Sequence, residues 1–188
     1  MKKSKKKKKS NSWKIKQHRD QFFKKSKTLG YRSRASFKLI ELNEKFKFLK
    51  KNTTLLDLGS SPGGWSQVVA KKITSGKILS IDIKDMEPIK NVKFIKRDIF
   101  EDSTKEIIKS FFNNKLDVII SDMAADTTGN KSLDSIRTNQ LCSEVLDLSS
   151  KILKPKGVFV SKLFMGDDFL EVKYLAKSLF EKVSFFKP

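Results

Sequence analysis

A glycine-rich loop follows an apolar stretch in the first third of the chain. The run LDLGSSPGGW occupies positions 56–65, with Asp57 before the loop and Gly59, Gly63 and Gly64 within it. Glycines between a strand and a helix allow the backbone to approach a ligand closely. A dinucleotide site would space its glycines as G-x-G-x-x-G, and that spacing is absent. Because the Asp57 carboxylate would also repel phosphate, the loop favours a phosphate-free ligand that carries positive charge.

Three more carboxylates, those of Asp82, Asp98 and Asp122, follow later apolar stretches. An acidic residue at the end of the second strand can accept both ribose hydroxyls of a nucleoside, and Asp98 could face an adenine edge. Each residue alone could be an ordinary cap or turn residue. Three at the ends of successive strands predict a nucleoside site. A sulfonium nucleoside with an amino-acid tail has no phosphate and carries positive charge, so it tolerates these acidic surroundings.

Lys162 stands inside the apolar run VFVSKLF at positions 158–164. A lysine within a central strand is costly unless it is paired. We therefore interpret Lys162 as a functional residue, the alternative being a lysine at a strand end that extends its charge to solvent.

Apolar strands alternate with helical patterns along the chain, which predicts an α/β fold with a mostly parallel sheet and helices on both faces. A helix is expected from Ser33 through Phe46. Gly76 and the run Pro155-Lys156-Gly157 are expected between elements. The predicted strands are 53–58, 77–82, 92–97, 116–121, 157–163 and 182–187, and the other predicted helices are 64–73, 103–112, 134–152 and 168–180. Such a sheet binds ligands at the carboxyl ends of its strands.

The basic charge is concentrated at the start of the chain. Residues 1–50 hold 19 of the 41 Lys and Arg but 3 of the 21 Asp and Glu, in a protein of 188 residues with net charge +20. This distribution favours a polyanionic partner such as RNA. We divide the chain into a disordered basic RNA-binding arm, 1–28, and one domain, 29–188. A solubilising tail is the alternative for the arm, and its aromatic rings could either stack on bases or dock the arm onto the domain.

Several classes of protein are disfavoured. No apolar run approaches the ~20 residues that a membrane span needs, so we expect no membrane partner. His18 has no Cys or His partner at ligand spacing, and we expect no metal. The single Cys142 fits a reducing cytoplasm. We expect a cytoplasmic monomer.

The sequence resembles the FtsJ-like family of bacterial heat-shock ribosomal RNA 2′-O-methyltransferases. The matching stretches are Gly30 to Leu39, Leu56 to Gln67, Ser121 to Ala124 with Gly129, and Val160 to Phe164 with Gly166. The resemblance implies a Rossmann-like S-adenosylmethionine-dependent methyltransferase fold, which transfers a methyl group to a ribose 2′-hydroxyl, with a uridine of 23S ribosomal RNA in the assembled large subunit as the expected target. It implies cofactor contacts at Gly63, Trp65, Asp82, Asp98 and Asp122.

The resemblance also implies a catalytic set of Lys38, Asp122, Lys162 and a glutamate on a final strand. Family members continue past the Phe-Lys-Pro turn into that strand, whereas this sequence stops at Pro188. We therefore expect the last strand to be missing and the domain to be truncated at its C-terminus, and no residue here takes the glutamate's role.

A 2′-hydroxyl is a poor nucleophile until its proton is removed or shared, and Lys162 is the candidate for that step. Asp122 would fix the geometry of Lys162, and Lys38 would also hold RNA. Two alternatives stay open: a 2′-O-methyltransferase of another RNA, such as transfer RNA or a messenger cap, and a catalytically impaired RNA-binding or ribosome-assembly factor.

Overall fold

The computed structural model describes residues 21–113 and 116–187, and five strands in these ranges form one parallel sheet. The strands are β1 (Leu55–Leu58), β2 (Ile78–Asp82), β3 (Lys93–Lys96), β4 (Leu116–Ser121) and β5 (Leu153–Ser161). Their spatial order is β3-β2-β1-β4-β5, and every neighbouring pair is parallel. β2 and β3 therefore lie on one side of β1, and the chain then crosses over to place β4 and β5 on the other side. The carboxyl ends of β1 and β4 flank this switch point, where such sheets bind ligands.

Helices cover both faces of the sheet, as predicted. The described helices are α1 (Gln21–Thr28), α2 (Ala35–Phe46), α3 (Gly64–Lys72), α4 (Asp102–Phe112), α5 (Lys131–Ile152) and α6 (Phe169–Leu179). Because successive strand residues point to opposite faces, Leu55 packs with Leu39 of α2 and Val69 of α3, whereas Leu56 packs with Ile108 of α4 and Val145 of α5. Two apolar layers therefore sandwich β1 and fix its carboxyl end.

The register of the central strands aligns their ends. Leu58 pairs with Ile81 on one side and with Ser121 on the other. The residues that follow these positions, Gly59, Asp82 and Asp122, therefore stand side by side at one edge of the sheet. The backbone continues this alignment, since the Asp122 N–H donates to the Leu58 carbonyl at 3.2 Å.

Two sequence predictions about the C-terminal third are wrong. Residues 182–187 do not form a strand; Phe185 packs its ring on Phe169 at 5.1 Å and Phe186 packs on Phe46 at 6.2 Å. Ring contacts therefore take the place of ladder hydrogen bonds there. The run 155–157 does not separate elements either but lies inside β5, where the pairing register shifts between Leu116 and Val118 to accommodate the extra residues.

Part of the predicted disordered arm is ordered. Residues 21–28 form α1, which packs against α2 because the ring of Phe22 lies 5.9 Å from the ring of Phe37. Tyr31, which follows α1, lies 5.7 Å from the same ring. Lys25 stands over the same ring at 5.2 Å. The ring of Phe22 thus docks α1 onto the domain. Residues 1–20, with Trp13 and most of the arm's lysines, lie outside the described residues.

Candidate functional site

A cavity of about 440 Å³ opens at the carboxyl ends of β1, β2 and β4. Its lining includes Gly59, Asp82, Asp98 and Asp122, and three of these are the strand-end carboxylates singled out in the sequence. A volume of this size suits a nucleoside-sized ligand. The cavity therefore lies at the switch point of the sheet, where the sequence analysis expects a ligand.

At Gly59 the backbone of the loop after β1 comes very close to the backbone that follows β4. Its φ is +69°, and a Cβ at this position would lie 2.5 Å from Cγ and 2.9 Å from Cα of Met123. A side chain would displace the backbone of Met123 and the adjacent Asp122. The glycine thus keeps the loop after β1 pressed against the end of β4.

Asp82 is held rigidly at the end of β2. One carboxylate oxygen accepts the Ser61 N–H at 2.8 Å, and the other accepts the Lys84 N–H at 2.7 Å. Each oxygen keeps a further lone pair, so the carboxylate can still accept two hydroxyls. The Ser61 bond also ties the glycine-rich loop to the end of β2.

Asp98 stands at the far side of the cavity. Its Oδ1 accepts the Phe100 N–H at 3.0 Å, and its side chain is otherwise exposed. The cavity wall between Asp82 and Asp98 includes Ile83, which is 63% exposed, and the buried Ile99. Apolar side chains beside a fixed carboxylate suit a flat base that has a polar edge.

Asp57 lies beneath the loop rather than in the cavity. It is fully buried, and its Oδ2 accepts a hydrogen bond of 2.5 Å from Ser66 Oγ, which also meets Ser80 Oγ at 3.0 Å. Burial raises the pKa of Asp57 to about 7, with smaller contributions from the nearby Asp122 and Asp82 carboxylates and an opposing one from the Ser66 hydrogen bond.

A second, smaller cavity of about 30 Å³ adjoins the first, and the two share Gly59, Ser61 and Asp122. Trp65 lines this small cavity, but its indole N–H is taken by the Ala35 carbonyl at 2.8 Å. Ser60 also lines it, and its buried Oγ has no hydrogen-bond partner among the described residues.

Gly63, another predicted cofactor residue, lines neither cavity and caps α3 with φ +107°.

Lys162 and Asp122 form an ion pair at the site. Lys162 Nζ lies 3.0 Å from Asp122 Oδ1 and donates to the Asp122 backbone carbonyl at 2.8 Å. Their side chains are 21% and 25% exposed, so the pair is shielded but reachable. The expectation that Lys162 lies within a central strand is wrong, because it follows directly after β5, which is an edge strand of the described sheet. Its N–H donates to the Ser121 carbonyl at 2.9 Å. Lys162 is thus a paired lysine at the end of a strand.

Lys38 is not brought into this pair. It is an exposed residue of α2, and no hydrogen bond or ion pair within residues 21–113 and 116–187 joins it to Asp122 or Lys162. Its helix nevertheless approaches the site, because Ala35 lines the small cavity.

Arg32 holds together two loops near the site, a role that the sequence analysis did not predict. Its guanidinium donates to the carbonyls of Pro62 at 3.2 Å, Glu87 at 2.6 Å and Pro88 at 2.9 Å. It therefore ties the glycine-rich loop to the loop after β2. These partners lie 30 to 56 residues away in sequence, and backbone carbonyls leave no side-chain signal.

Two classes of site are not found in the described residues. No group of three or more His, Cys, Asp or Glu there could hold a metal ion. None of the helices in those ranges has both the length and the apolar composition to cross a membrane.

The family model described as FtsJ-like methyltransferase matches residues 31–188, which include the glycine-rich loop, the strand-end carboxylates and Lys162. The chain belongs to the FtsJ-like methyltransferase family. It is accordingly a methyltransferase, and the nucleoside-sized cavity beside Lys162 and Asp122 is where its methyl donor is to be sought.

Relatives match over nearly the whole chain. The ribosomal RNA large subunit methyltransferase E of Pelagibacter ubique (strain HTCC1062) is 45% identical over 179 residues, covering 95% of this chain and 88% of the relative. The protein of the same name from Rickettsia akari (strain Hartford) is 42% identical, covering 95% of this chain and 82% of its own. A solved structure described as a ribosomal RNA methyltransferase from Plasmodium falciparum superposes with a TM-score of 0.78 at 35% identity, covering 84% of this chain and 91% of that one.

Proposed function

We propose that the chain transfers a methyl group from S-adenosylmethionine to the 2′-hydroxyl of a ribose in large-subunit ribosomal RNA. The observation that carries the proposal is the Lys162–Asp122 pair, joined at 3.0 Å, with Asp122 lining the cavity that a nucleoside fits. A hydroxyl that reaches this end of the cavity would have Lys162 beside it to accept its proton.

The lining of the two cavities fits S-adenosylmethionine on three counts. Asp82 has lone pairs left for ribose hydroxyls, and Asp98 stands beside an apolar wall for the base. Ser60 Oγ is a buried, unpartnered polar atom in the smaller cavity, where it can bind the amino-acid tail. When bound, the cofactor supplies a methyl group on a positively charged sulfur, which a nucleophile attacks in line without a metal. The surrounding carboxylates favour that positive charge.

Lys162 would handle the proton of the hydroxyl. Its Nζ makes two contacts with Asp122, to the carboxylate and to the backbone carbonyl. A neutral amine has two hydrogens, so both can be used in these contacts while the lone pair is left for the hydroxyl proton. Asp122 thereby sets the direction of the lone pair. General base action by a positioned side chain is typically worth ~10²–10⁴-fold in rate.

Lys38 would act on the RNA rather than on the proton. Among the described residues, no hydrogen bond or ion pair joins its exposed side chain to Lys162 or Asp122, but its helix borders the small cavity beside Asp122. A flexible ammonium in that position can hold a phosphate of the bound strand.

The substrate assignment rests on the relatives and on charge. Relatives at 45% and 42% identity carry the name ribosomal RNA large subunit methyltransferase E. The first 50 residues carry 19 Lys and Arg, enough to neutralise many phosphates. We extend the proposal to a uridine of 23S RNA in the assembled subunit, modified by a monomeric enzyme in the cytoplasm.

Methyl transfer from labelled S-adenosylmethionine tests the substrate. Purified enzyme would be given large ribosomal subunits that lack the modification, protein-free 23S RNA, transfer RNA and capped messenger RNA in parallel. We expect rapid labelling of the subunits and little labelling of the other three. Preferential labelling of transfer RNA or of the cap would overturn the substrate assignment, and no labelling of any RNA would overturn the proposed function.

A further inference from the structure

A buried amide holds the chain just after Lys162. Asn139 of α5 is fully buried, and its Oδ1 accepts the Phe164 N–H at 2.9 Å. Its Nδ2 donates to the Phe164 carbonyl at 2.9 Å and to Asp168 Oδ1 at 3.0 Å. The orientation of the amide is settled by its partners, because a backbone N–H can only donate and a carbonyl can only accept.

This clamp leaves Lys162 little freedom to move. The Lys162 N–H is bonded to Ser121, and the amide of Asn139 holds both polar groups of Phe164. Leu163 is the single residue between the two anchors. A displacement of Phe164 would therefore reach the Lys162 backbone and tilt its side chain away from Asp122.

The same face of α5 restrains the segment a second time, one helical turn earlier. A Cβ at Gly166 would contact the hydroxyl and Cβ of Ser135, so the backbone at Gly166 lies directly against the helix. Ser135 and Asn139 are four residues apart and share one face of α5. The turn after Lys162 is thus seated on this face at two points.

Residues on a neighbouring face of α5 bind the loop that follows Asp122. Thr138 Oγ1 accepts the Ala125 N–H at 3.3 Å, and Asp134 accepts the N–H groups of Thr128 and Gly129 at 2.7 and 3.2 Å. The loop so held follows Asp122 and lines the large cavity. One helix therefore positions the chain next to both members of the Lys162–Asp122 pair.

We propose that Asn139 is a positioning residue for methyl transfer: by clamping Phe164 it holds Lys162 Nζ in line with the attacking hydroxyl. The inference rests on the proposed function of Lys162. It predicts that substitutions at two adjacent residues of α5, Asn139 and Thr138, change different kinetic constants. Loss of the Asn139 clamp lowers kcat, whereas loss of the Thr138 contact to the cofactor-side loop raises the KM for S-adenosylmethionine.

The test compares Asn139→Asp with the double variant Asn139→Asp/Asp168→Asn in the full chain. Aspartate keeps the acceptor for the Phe164 N–H but places an oxygen against the Phe164 carbonyl and Asp168. In the double variant, the side-chain amide of asparagine at 168 can donate to the new carboxylate at 139, which restores the hydrogen bond between the two side chains. Thr138→Val is the matched control on the adjacent, equally buried position. Steady-state kinetics on ribosomal subunits would be paired with calorimetry of S-adenosylmethionine binding.

We expect Asn139→Asp to lower kcat by about tenfold or more, since misplacement by an ångström can cost on the order of 10²-fold. Both KM values should stay near those of the wild type, and the double variant should regain part of the lost kcat. Unchanged kcat overturns the inference, as does loss of S-adenosylmethionine binding, which makes Asn139 a purely structural residue. Equal kcat in the single and double variants also contradicts it. Lys162→Ala is measured alongside: if it stays active, it is the proposed function of Lys162 that fails.

Discussion

Lys162 Nζ and Asp122 are joined twice, once through the carboxylate at 3.0 Å and once through the backbone carbonyl at 2.8 Å. The backbone contact matters because it does not depend on the rotamer of Asp122. The amine is aimed by the end of β4 itself, which the sheet fixes relative to β1 and the glycine-rich loop. A rigid strand end is a more exact support for a reacting group than a flexible side chain.

Removing the Lys162 side chain should abolish methyl transfer while the protein still binds S-adenosylmethionine and RNA. We expect Lys162→Ala to lower kcat by at least ~10²-fold. Lys162→Arg should fail too, because a guanidinium keeps its proton and cannot act as a base.

Lys154→Ala is the matched control for Lys162→Ala. Lys154 lies on β5, the strand that Lys162 follows, and is likewise paired with an aspartate, Asp117 at 2.6 Å, but at the opposite end of the sheet. Single-turnover assays would compare the three variants. Activity retained in Lys162→Ala, or lost equally in Lys154→Ala, would contradict the assignment.

Asp82→Ala should weaken S-adenosylmethionine binding by roughly 1–3 kcal/mol, the scale of hydrogen bonds to a charged group. Asp85→Ala serves as control, since Asp85 lies three residues further along with an 84% exposed side chain that pairs with Lys96. Calorimetry with S-adenosylmethionine and with NAD measures both variants and the wild type. Equal weakening by the two substitutions, or tight binding of NAD by the wild type, would count against the cavity as the cofactor site.

Asp57 should make the stability of the protein depend on pH. Its native pKa of about 7 exceeds its ordinary value of 3.8, so between these values the native state holds a proton that the unfolded chain has released. The free energy of unfolding contributed by this residue therefore falls as pH rises through that window.

Asp57→Asn removes the titrating group, so its stability relative to the wild type should rise from pH 5 to pH 8, by on the order of a few kcal/mol. Urea unfolding at several pH values measures the difference. A difference that stays constant with pH would show that Asp57 is already ionised in the folded protein at acidic pH.

Deleting residues 1–20 should weaken RNA binding and flatten its salt dependence without changing S-adenosylmethionine affinity. The deletion removes ten Lys and Arg and leaves α1, which packs on α2, in place. Each lost phosphate contact should lower the slope of log K against log salt by about 0.7 for single-stranded RNA. Replacing the lysines at 5–9 with glutamine keeps the length and tests charge alone. If the slope of log K against log salt is unchanged in both variants, residues 1–20 do not bind RNA and act as a solubilising tail.

The parts of the fold that follow from local pattern were predictable, and those that depend on distant contacts were not. Alternating apolar stretches predicted the parallel sheet, and the strand-end positions of Asp82 and Asp122 followed because parallel strands end at one edge. The clamp made by Asn139 was invisible, since it joins the backbone of Phe164, 25 residues away, and the side chain of Asp168, 29 residues away. The strand predicted at 182–187 failed because its apolar pattern is used for ring packing, and the exposed position of Lys38 depends on how α2 sits on the sheet.

The chemical position of the transferred methyl group tests the account most directly. Large subunits methylated by the wild-type enzyme would be digested to nucleosides and analysed by mass spectrometry with fragmentation of the glycosidic bond. We predict that the added mass of the methyl group stays with the ribose fragment, and that Lys162→Ala yields none of it. Added mass on the base fragment would contradict the proposed attack by a 2′-hydroxyl and the role assigned to Lys162.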